Sequence, residues 1–249
     1  MISIDTRETT AVLKLDRGKK NPIDLELLSE IGKALKEFRE DPEIRGLVMG
    51  STSDRFFSIG FDIPNLFDLS REDFGGFYRT FTELCLDLYT FPKPTAAAVQ
   101  GHATAGGFIL SLASDYRIIA EGHNLMGLNE AKLGVPVPHF SELVLQRIAG
   151  RANAAIIIDD GEFFLPEDAL TMGIAENVLP DDEVLQAAIT AASGVDADIM
   201  GTFSTIKGAR TKKIEMAVRE AMDERTQAFL DRWYAPEVRE NLKEAMKKY

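Results

Sequence analysis

The sequence predicts an α/β protein built from repeated units of two strands and a helix. Two observations lead to this class. Short apolar runs, such as residues 95–99, alternate with amphipathic stretches, of which residues 73–89 have the clearest apolar stripe. The chain of 249 residues is also 45% hydrophobic, which is enough to bury a full core. Alternating elements of this kind favour a layered arrangement of helices on a sheet.

Individual elements follow from the local spacing of apolar residues and from turn residues. Apolar runs bounded by polar or turn residues predict strands, and apolar side chains at helical spacing predict helices. The first two strands are expected to form a hairpin. The predicted strands are residues 2–4, 11–15, 45–50, 95–99, 115–120 and 177–179. The predicted helices are residues 24–39, 73–89 and 108–113, with further helices that begin at Arg151 and Pro166.

The last part of the chain changes in character and is predicted to be helical from Asp182 onward. We therefore divide the chain into a core over residues 1–190, which carries the site, and a helical region over residues 191–249 for oligomerisation. The expected features of this region are breaks at Gly194 and Gly201, a long helix over residues 212–233 and a last helix over residues 236–249.

Composition narrows the classes of function. The formal net charge of −12 argues against a nucleic-acid partner, although a local basic patch could still bind a small anion. No apolar run reaches the roughly 18 residues of a membrane helix, and the first residues lack the pattern of a signal peptide. Cys85 is the only cysteine, so we expect a reducing, cytoplasmic setting. The histidines lack the spacing of a zinc motif, so no metal is expected.

Two turns of small residues are candidates for binding an oxyanion. The first is centred on Ile59, whose N–H could meet a carbonyl oxygen; alternatively it is an ordinary connection in which Asp62 caps a helix. The second ends in Gly106-Gly107, where unpaired N–H groups and the helix dipole would coincide. Its alternative is a close helix–strand contact that only glycine permits. Two N–H groups aimed at one point are the minimum for stabilising an oxyanion.

A lone carboxylate, Glu130, follows these turns within the apolar and glycine-containing stretch 128–136. Partial desolvation there would raise its pKa and suit it to proton transfer. The alternative is a surface carboxylate beside Lys132, which is the ordinary place for a glutamate.

Together these features resemble the crotonase superfamily, whose best-known members are enoyl-CoA hydratases and isomerases. The resemblance spans roughly residues 11–180 and is most specific over residues 93–101 and 114–117. It implies a spiral of repeated ββα units with a helical C-terminal trimerisation region, assembled as a homotrimer or hexamer. It also implies an acyl-CoA thioester as substrate, and no separate cofactor because coenzyme A is part of that substrate.

The resemblance also implies roles for particular residues. The N–H groups of Ile59 and Gly106 would bind the thioester oxygen, and residues 59–63 would line the path of the pantetheine arm. Glu130 would be the catalytic base, with Asn129 beside it at the acyl site. The substrate-binding residues implied are Ser58, Ile59, Gly60, Phe61, Asp62, Ile63, Gly107, Ile109 and Asn129.

Ile109 marks a departure from the pattern of the hydratases, which have a glutamate three residues after the oxyanion glycine. Isoleucine cannot transfer a proton, so addition of water is poorly supported. One base beside an oxyanion hole can still move a double bond, and the segment around Glu130 resembles the Δ3,Δ2-enoyl-CoA isomerase branch. The alternatives are a hydratase that uses Glu130 alone, other crotonase-type thioester chemistry such as hydrolysis, and a non-catalytic acyl-CoA-binding protein.

Three further features leave alternatives open. His139 could approach the acyl pocket or simply begin a helix. A basic cluster could meet CoA phosphates or form a solvated helix face, and an aromatic stripe could shape the acyl tunnel or belong to the core. The basic cluster is Lys207, Arg210, Lys212 and Lys213, and the aromatic residues are Phe67, Phe74, Phe77 and Tyr78.

Overall fold

Six strands, five of them parallel, form the central sheet of the structure, a computed structural model that describes residues 1–247. The strands are β1 (Ile2–Arg7), β2 (Thr10–Leu15), β3 (Pro22–Ile23), β4 (Gly46–Ser51), β5 (Phe56–Ser58), β6 (Gly60–Phe61), β7 (Thr95–Val99), β8 (His102–Thr104), β9 (Tyr116–Ala120), β10 (Met126–Gly127) and β11 (Asn177–Leu179). The central sheet has the order β1-β2-β4-β7-β9-β11, in which β1 and β2 form the predicted antiparallel hairpin.

The helices connect these strands and continue beyond the last one. They are α1 (Leu25–Glu40), α2 (Ile63–Leu66), α3 (Arg71–Tyr89), α4 (Gly106–Leu112), α5 (Glu130–Leu133), α6 (His139–Ile148), α7 (Gly150–Asp160), α8 (Pro166–Thr171), α9 (Asp181–Ser193), α10 (Met200–Glu220), α11 (Met222–Trp233) and α12 (Pro236–Met246). A 3₁₀ turn, Ala197–Ile199, precedes α10. None of the helices in residues 1–247 is both long and apolar enough to span a bilayer.

Helices cover both faces of the inner strands of the central sheet, so β2, β4 and β7 are buried on both sides. On one face, α9 packs against small residues of β4 and β7, including Ala96 and Ala98. The approach is so close that a Cβ at Gly46 would lie 2.2 Å from the carbonyl oxygen of Ala192, so only glycine fits there. On the other face lies the main core, to which α1 and α3 contribute.

Two small sheets beside the central one bring distant turns together. In the first, β8 pairs in parallel with both β5 and β10; in the second, β3 pairs in parallel with β6. The chain leaves β8 directly into α4 and leaves β10 directly into α5. The starts of these two short helices are thereby held by one sheet, which positions Gly106 and Glu130.

The basic cluster predicted on the C-terminal region is partly buried, so neither of its two interpretations holds for Lys207. The Lys207 ammonium is 1% exposed and lies 2.5 Å from the Asp115 carboxylate, which also pairs with Arg210 at 2.6 Å. Burial lowers the pKa of Lys207, and the neighbouring Asp115 opposes that shift. Lys207 and Arg210 therefore anchor α10 to the strand region around Asp115.

The C-terminal helices differ from the prediction at two points. The expected helix over residues 212–233 is divided at Ala221, and Gly201 lies inside α10 instead of breaking it. Beyond this division, α11 packs on α3, where Trp233 stacks on Phe74 at 4.3 Å between ring centroids. The last two residues of the predicted final helix, Lys248 and Tyr249, lie outside the described residues. The predicted α/β class is confirmed; the proposed division at residue 190 stays a prediction.

Candidate active site

A cavity of about 290 Å³ lies between β6, β8, α5 and the two last helices. Its lining includes Leu125 and Phe163, which are 39% and 37% exposed. It also includes Phe229 and Trp233 of α11, which are each 2% exposed. Most of the wall is apolar, and Glu130 is the only carboxylate that lines it within residues 1–247. The cavity therefore places one acidic group in a low-dielectric surrounding.

Glu130 is buried, so its interpretation as a surface carboxylate is wrong. It is the first residue of α5, is 6% exposed, and its Oε2 has no hydrogen-bond partner in the described part of the chain. Burial raises its pKa to about 7, against an opposing effect of the N–H groups of Asn129 and Glu130 itself. Lys132, the alternative partner, instead pairs with Glu162 at 2.5 Å. Glu130 can therefore both accept and return a proton near neutral pH.

Gly106 supplies a backbone donor to the same cavity. It begins α4, and no acceptor for its N–H lies among residues 1–247, as expected in the first turn of a helix. The preceding Ala105 has a φ of +49°, and its N–H donates to the carbonyl oxygen of Gly127 at 2.8 Å. This bond ties the start of α4 to the strand that leads to Glu130.

The second predicted donor, the N–H of Ile59, is already used. It donates to the carbonyl oxygen of Lys20 at 2.9 Å, so Ile59 contributes only its side chain to the cavity. The sequence did not indicate this bond because it comes from the loop before β3.

The neighbouring strand β6 is held on one side by β3. The N–H of Asp62 donates to the carbonyl oxygen of Ile23 in β3 at 2.8 Å. A Cβ added at Gly60 would lie 2.8 Å from the amide nitrogen of Gly106, so β6 runs directly beside the start of α4.

The predicted substrate-binding residues divide into two groups. Ile59, Phe61, Ile63 and Asn129 line the cavity together with Gly106 and Glu130. The others do not line it but support the backbone around it, and their predicted role in substrate binding stays a prediction. Those residues are Ser58, Gly60, Asp62, Gly107 and Ile109.

Each supporting residue has a physical reason for its place. The Ser58 hydroxyl donates to the carbonyl oxygen of Asn21 at 2.7 Å. Asp62 caps α2 and pairs with Arg17 at 2.5 Å, as the alternative interpretation of that turn proposed. A Cβ at Gly107 would lie 2.3 Å from the carbonyl oxygen of Ser58, so glycine is required for close packing. Ile109 is 1% exposed and belongs to the main core.

Several cavity residues were not predicted. Phe229, Trp233 and Ala245 come from α11 and α12, and His102 comes from β8. The spacing of Phe229 and Trp233 signals only an apolar helix face. His102 accepts a hydrogen bond through Nδ1 from the N–H of Leu125 at 2.8 Å.

The structure distinguishes between the two interpretations given above for the aromatic stripe and for His139. The aromatic stripe of Phe67, Phe74, Phe77 and Tyr78 belongs to the core and does not line the cavity. His139 begins α6, where its Nδ1 lies 3.0 Å from a Glu142 carboxylate oxygen, and it is not a cavity residue. Within residues 1–247, no group of three His, Cys, Asp or Glu side chains is arranged to hold a metal ion.

A buried carboxylate and a helix-start N–H that line one cavity on this fold are consistent with the crotonase superfamily, and the comparisons confirm that predicted membership. The chain belongs to the enoyl-CoA hydratase/isomerase family, whose model matches residues 5–249. It is similar in structure to human mitochondrial Δ3-Δ2-enoyl-CoA isomerase, with a TM-score of 0.92, 26% identity, and coverage of 99% of this chain and 97% of that one.

Sequence comparison finds relatives with more than one activity in their names. The chain is 30% identical to enoyl-CoA delta isomerase 1, mitochondrial, of Homo sapiens over 77% of this chain, and the match spans 64% of the human protein, less than two thirds of its length. It is 31% identical to carnitinyl-CoA dehydratase of Salmonella typhi, over 84% of this chain and 79% of that protein.

Proposed function

We propose that this protein is an enoyl-CoA isomerase that moves the double bond of a 3-enoyl-CoA to the 2-position. The observation that carries the proposal is a single buried carboxylate, Glu130, with its Oε2 unpartnered among residues 1–247 in a cavity that also exposes the N–H of Gly106. Double-bond migration needs one group that takes a proton and gives it back. The similarity to proteins named as isomerases supports the same choice.

The reaction divides into two proton transfers. Glu130 removes a proton from C2, the C2–H bond breaks, and its electron pair delocalises into the thioester as a dienolate. The N–H of Gly106 stabilises the negative oxygen. Protonated Glu130 then delivers the proton to C4, which leaves the double bond between C2 and C3. No proton is gained or lost overall.

The surroundings of Glu130 suit both halves of this cycle. A pKa of about 7 means that the base form is well populated at neutral pH and that the acid form is still a competent donor. The apolar wall also strengthens the hydrogen bonds to the oxyanion, because low dielectric reduces screening.

Hydration is the second candidate, since one relative is named a dehydratase. Adding water requires a base for the water and an acid for the α-carbon. Glu130 would have to perform both tasks, because no second carboxylate lines the described cavity. We therefore rank single-base hydration below isomerisation.

A paired assay tests the proposal. In one assay, purified protein receives a 3-enoyl-CoA, and formation of the conjugated 2-enoyl thioester is measured. In a separate assay it receives a 2-enoyl-CoA, and loss of that thioester through hydration is measured. We expect conjugation without hydration, and a loss of about 10²–10⁴-fold in Glu130→Gln because the base is removed. Glu162→Gln is the matched control, since Glu162 is an exposed carboxylate outside the cavity wall.

Three other results would contradict the proposal. Hydration faster than conjugation would identify a hydratase. Full activity in Glu130→Gln would remove Glu130 from the mechanism. Tight acyl-CoA binding without turnover of either substrate would favour the non-catalytic binding protein.

A further inference from the structure

His102 is a polar residue of the cavity wall that the proposed reaction does not use. It is half-buried in β8, and its ring packs edge-to-face with Phe56 at 4.9 Å between ring centroids. Successive side chains of a strand point to opposite faces. His102 and Thr104 line the cavity and Ala103 between them does not, so the imidazole points to the cavity side of β8.

One ring nitrogen of His102 is already used, which fixes the role of the other. Nδ1 accepts a hydrogen bond from the N–H of Leu125 at 2.8 Å, so the neutral ring carries its proton on Nε2. Burial and the nearby Arg55 cation lower the pKa of His102, which keeps the ring neutral at pH 7 and above. The Nε2–H group is therefore a hydrogen-bond donor that cannot accept.

The Nε2 atom is also open to a ligand. Among residues 1–247 it has no hydrogen-bond partner, and it differs from the five buried unpaired side-chain polar atoms because it retains accessible surface. Nε2 and Cε1 form the tip of the imidazole, farthest from the backbone. The accessible N–H therefore lies on the part of the side chain that extends from β8 toward the cavity.

Close backbone contacts hold this donor in place. The N–H of His102 donates to the carbonyl oxygen of Arg55 at 2.8 Å, and the N–H of Ala103 donates to that of Leu125 at 3.0 Å. A Cβ at Gly101 would lie 2.4 Å from the carbonyl carbon of Arg55, so only glycine fits before His102. The sheet that positions Gly106 thus also fixes the imidazole.

We propose that His102 Nε2 donates a hydrogen bond to an amide carbonyl oxygen in the pantetheine arm of the acyl-CoA. Gly106, whose N–H would bind the thioester oxygen, is four residues further along the chain, which limits the separation of the two residues to about 14 Å. The two amides of the arm are the first neutral acceptors beyond the sulfur. A simple enoyl chain has no acceptor besides the thioester itself.

The surroundings of His102 favour the arm over the acyl chain. Leu125, which bonds the imidazole, is 39% exposed and also lines the cavity. A cavity of about 290 Å³ is too small to enclose a whole acyl-CoA, so the arm has to cross a part of the lining that meets solvent. This inference rests on the proposed function only in that the ligand is an acyl-CoA.

Two substitutions separate the donor from the contact with Leu125. The longer amide of His102→Gln can place an N–H near the position of Nε2, whereas the shorter amide of His102→Asn can accept from Leu125 but ends short of that position. Calorimetry with hexanoyl-CoA, which has no double bond to move, measures binding apart from catalysis. We expect about fivefold weaker binding in His102→Asn and a change of no more than about twofold in His102→Gln.

The matched control is His123→Asn, because His123 is exposed and does not line the cavity. This variant should bind hexanoyl-CoA as tightly as the wild type. Urea unfolding of each variant shows that the compared proteins are folded.

Spectroscopy tests which group of the ligand receives the bond. Hexanoyl-CoA would carry ¹³C at the amide carbonyls of the arm, and infrared difference spectra would be recorded for its complexes. We expect one labelled carbonyl to absorb at lower frequency with the wild type than with His102→Asn, because the hydrogen bond weakens the C=O bond.

A readout on the wild type does not depend on any variant. The chain has three histidines, so ¹⁵N-histidine labelling gives few resonances, and that of His102 is identified by cross peaks to the Phe56 ring. Its Nε2–H resonance should shift when hexanoyl-CoA is added.

Several results would overturn the inference. They are unchanged affinity in His102→Asn, an equal loss in His102→Gln and His102→Asn, identical infrared bands in wild type and His102→Asn, or an Nε2–H resonance that ignores the ligand. Arm binding through His102 with no isomerase activity would refute the proposed function alone. Isomerase activity with any of these four results would refute this inference alone. Failure of hexanoyl-CoA to bind the wild type would contradict both.

Discussion

Glu130 shows how one side chain is placed under opposing demands. Its carboxyl group is buried, and burial raises its pKa to about 7. The same burial that suits it to proton transfer disfavours its charged form in the folded protein. Activity and stability should therefore depend on pH in opposite directions over the same range.

The first prediction concerns how the catalytic rate depends on pH. The base form of Glu130 must be present in the free enzyme, so kcat/KM for a 3-enoyl-CoA should rise about tenfold per pH unit below pH 7 and level off above it. Initial rates between pH 5 and 9 measure this. A flat profile across pH 6–8 would contradict Glu130 as the titrating base.

The stability of Glu130→Gln is the second expectation. A folded pKa raised from 4.5 to about 7 contributes stability that is fully present below pH 4.5 and is lost as the pH rises through 7. At pH 8 the wild type has lost this contribution. The free energy of unfolding of Glu130→Gln, which is neutral at that position, should therefore exceed that of the wild type by at most roughly 3 kcal/mol. Urea unfolding of both proteins at pH 5 and pH 8 compares them. If the stability advantage of Glu130→Gln over the wild type were larger at pH 5 than at pH 8, a raised pKa of Glu130 would be contradicted.

The helix α10 is held by an ionic cluster in addition to the apolar residues Ile214 and Val218, which belong to the main core. Lys207 and Arg210 converge on Asp115, whose carboxylate also accepts from the N–H of Thr95 at 3.0 Å. Asp115 and Lys207 are 9% and 1% exposed, whereas Arg210 is 43% exposed. The two ion pairs should therefore differ in their effect on stability.

Substitution of the cluster tests this difference. Asp115→Asn leaves the Lys207 ammonium buried without its partner and should lower the free energy of unfolding by about 3–5 kcal/mol. Arg210→Met is the control, because an exposed pair contributes only about 0–1 kcal/mol. Chemical unfolding at one protein concentration measures both. Equal losses in the two variants would show that burial does not distinguish the pairs.

Across the whole molecule, the elements that could be predicted are those whose formation depends on residues close together in the sequence. The alanine-rich strand β7 and the glycine start of α4 depend on neighbouring residues, and each forms where it was expected. Glu130 was identified for a similar reason, since the apolar residues that surround it in sequence also contribute to its burial.

The parts that sequence reasoning missed depend on contacts between distant segments. The Ile59 N–H is taken by Lys20, in a loop where Asn21 has a φ of +45°. Trp233 reaches the cavity only because α11 packs back onto α3. A pattern within either segment does not indicate which other segment will meet it. The predicted homotrimer or hexamer likewise stays a prediction from the resemblance.

The position of Trp233 in the chain has a consequence for the protein during its synthesis. Glu130 and Gly106 are separated from Trp233 by about a hundred residues or more, which a ribosome adds in roughly 5–20 s. During that interval the growing chain contains Gly106 and Glu130 but lacks Phe229 and Trp233, which complete the cavity lining. We therefore expect the nascent protein to lack the finished cavity until α11 has emerged and docked on α3.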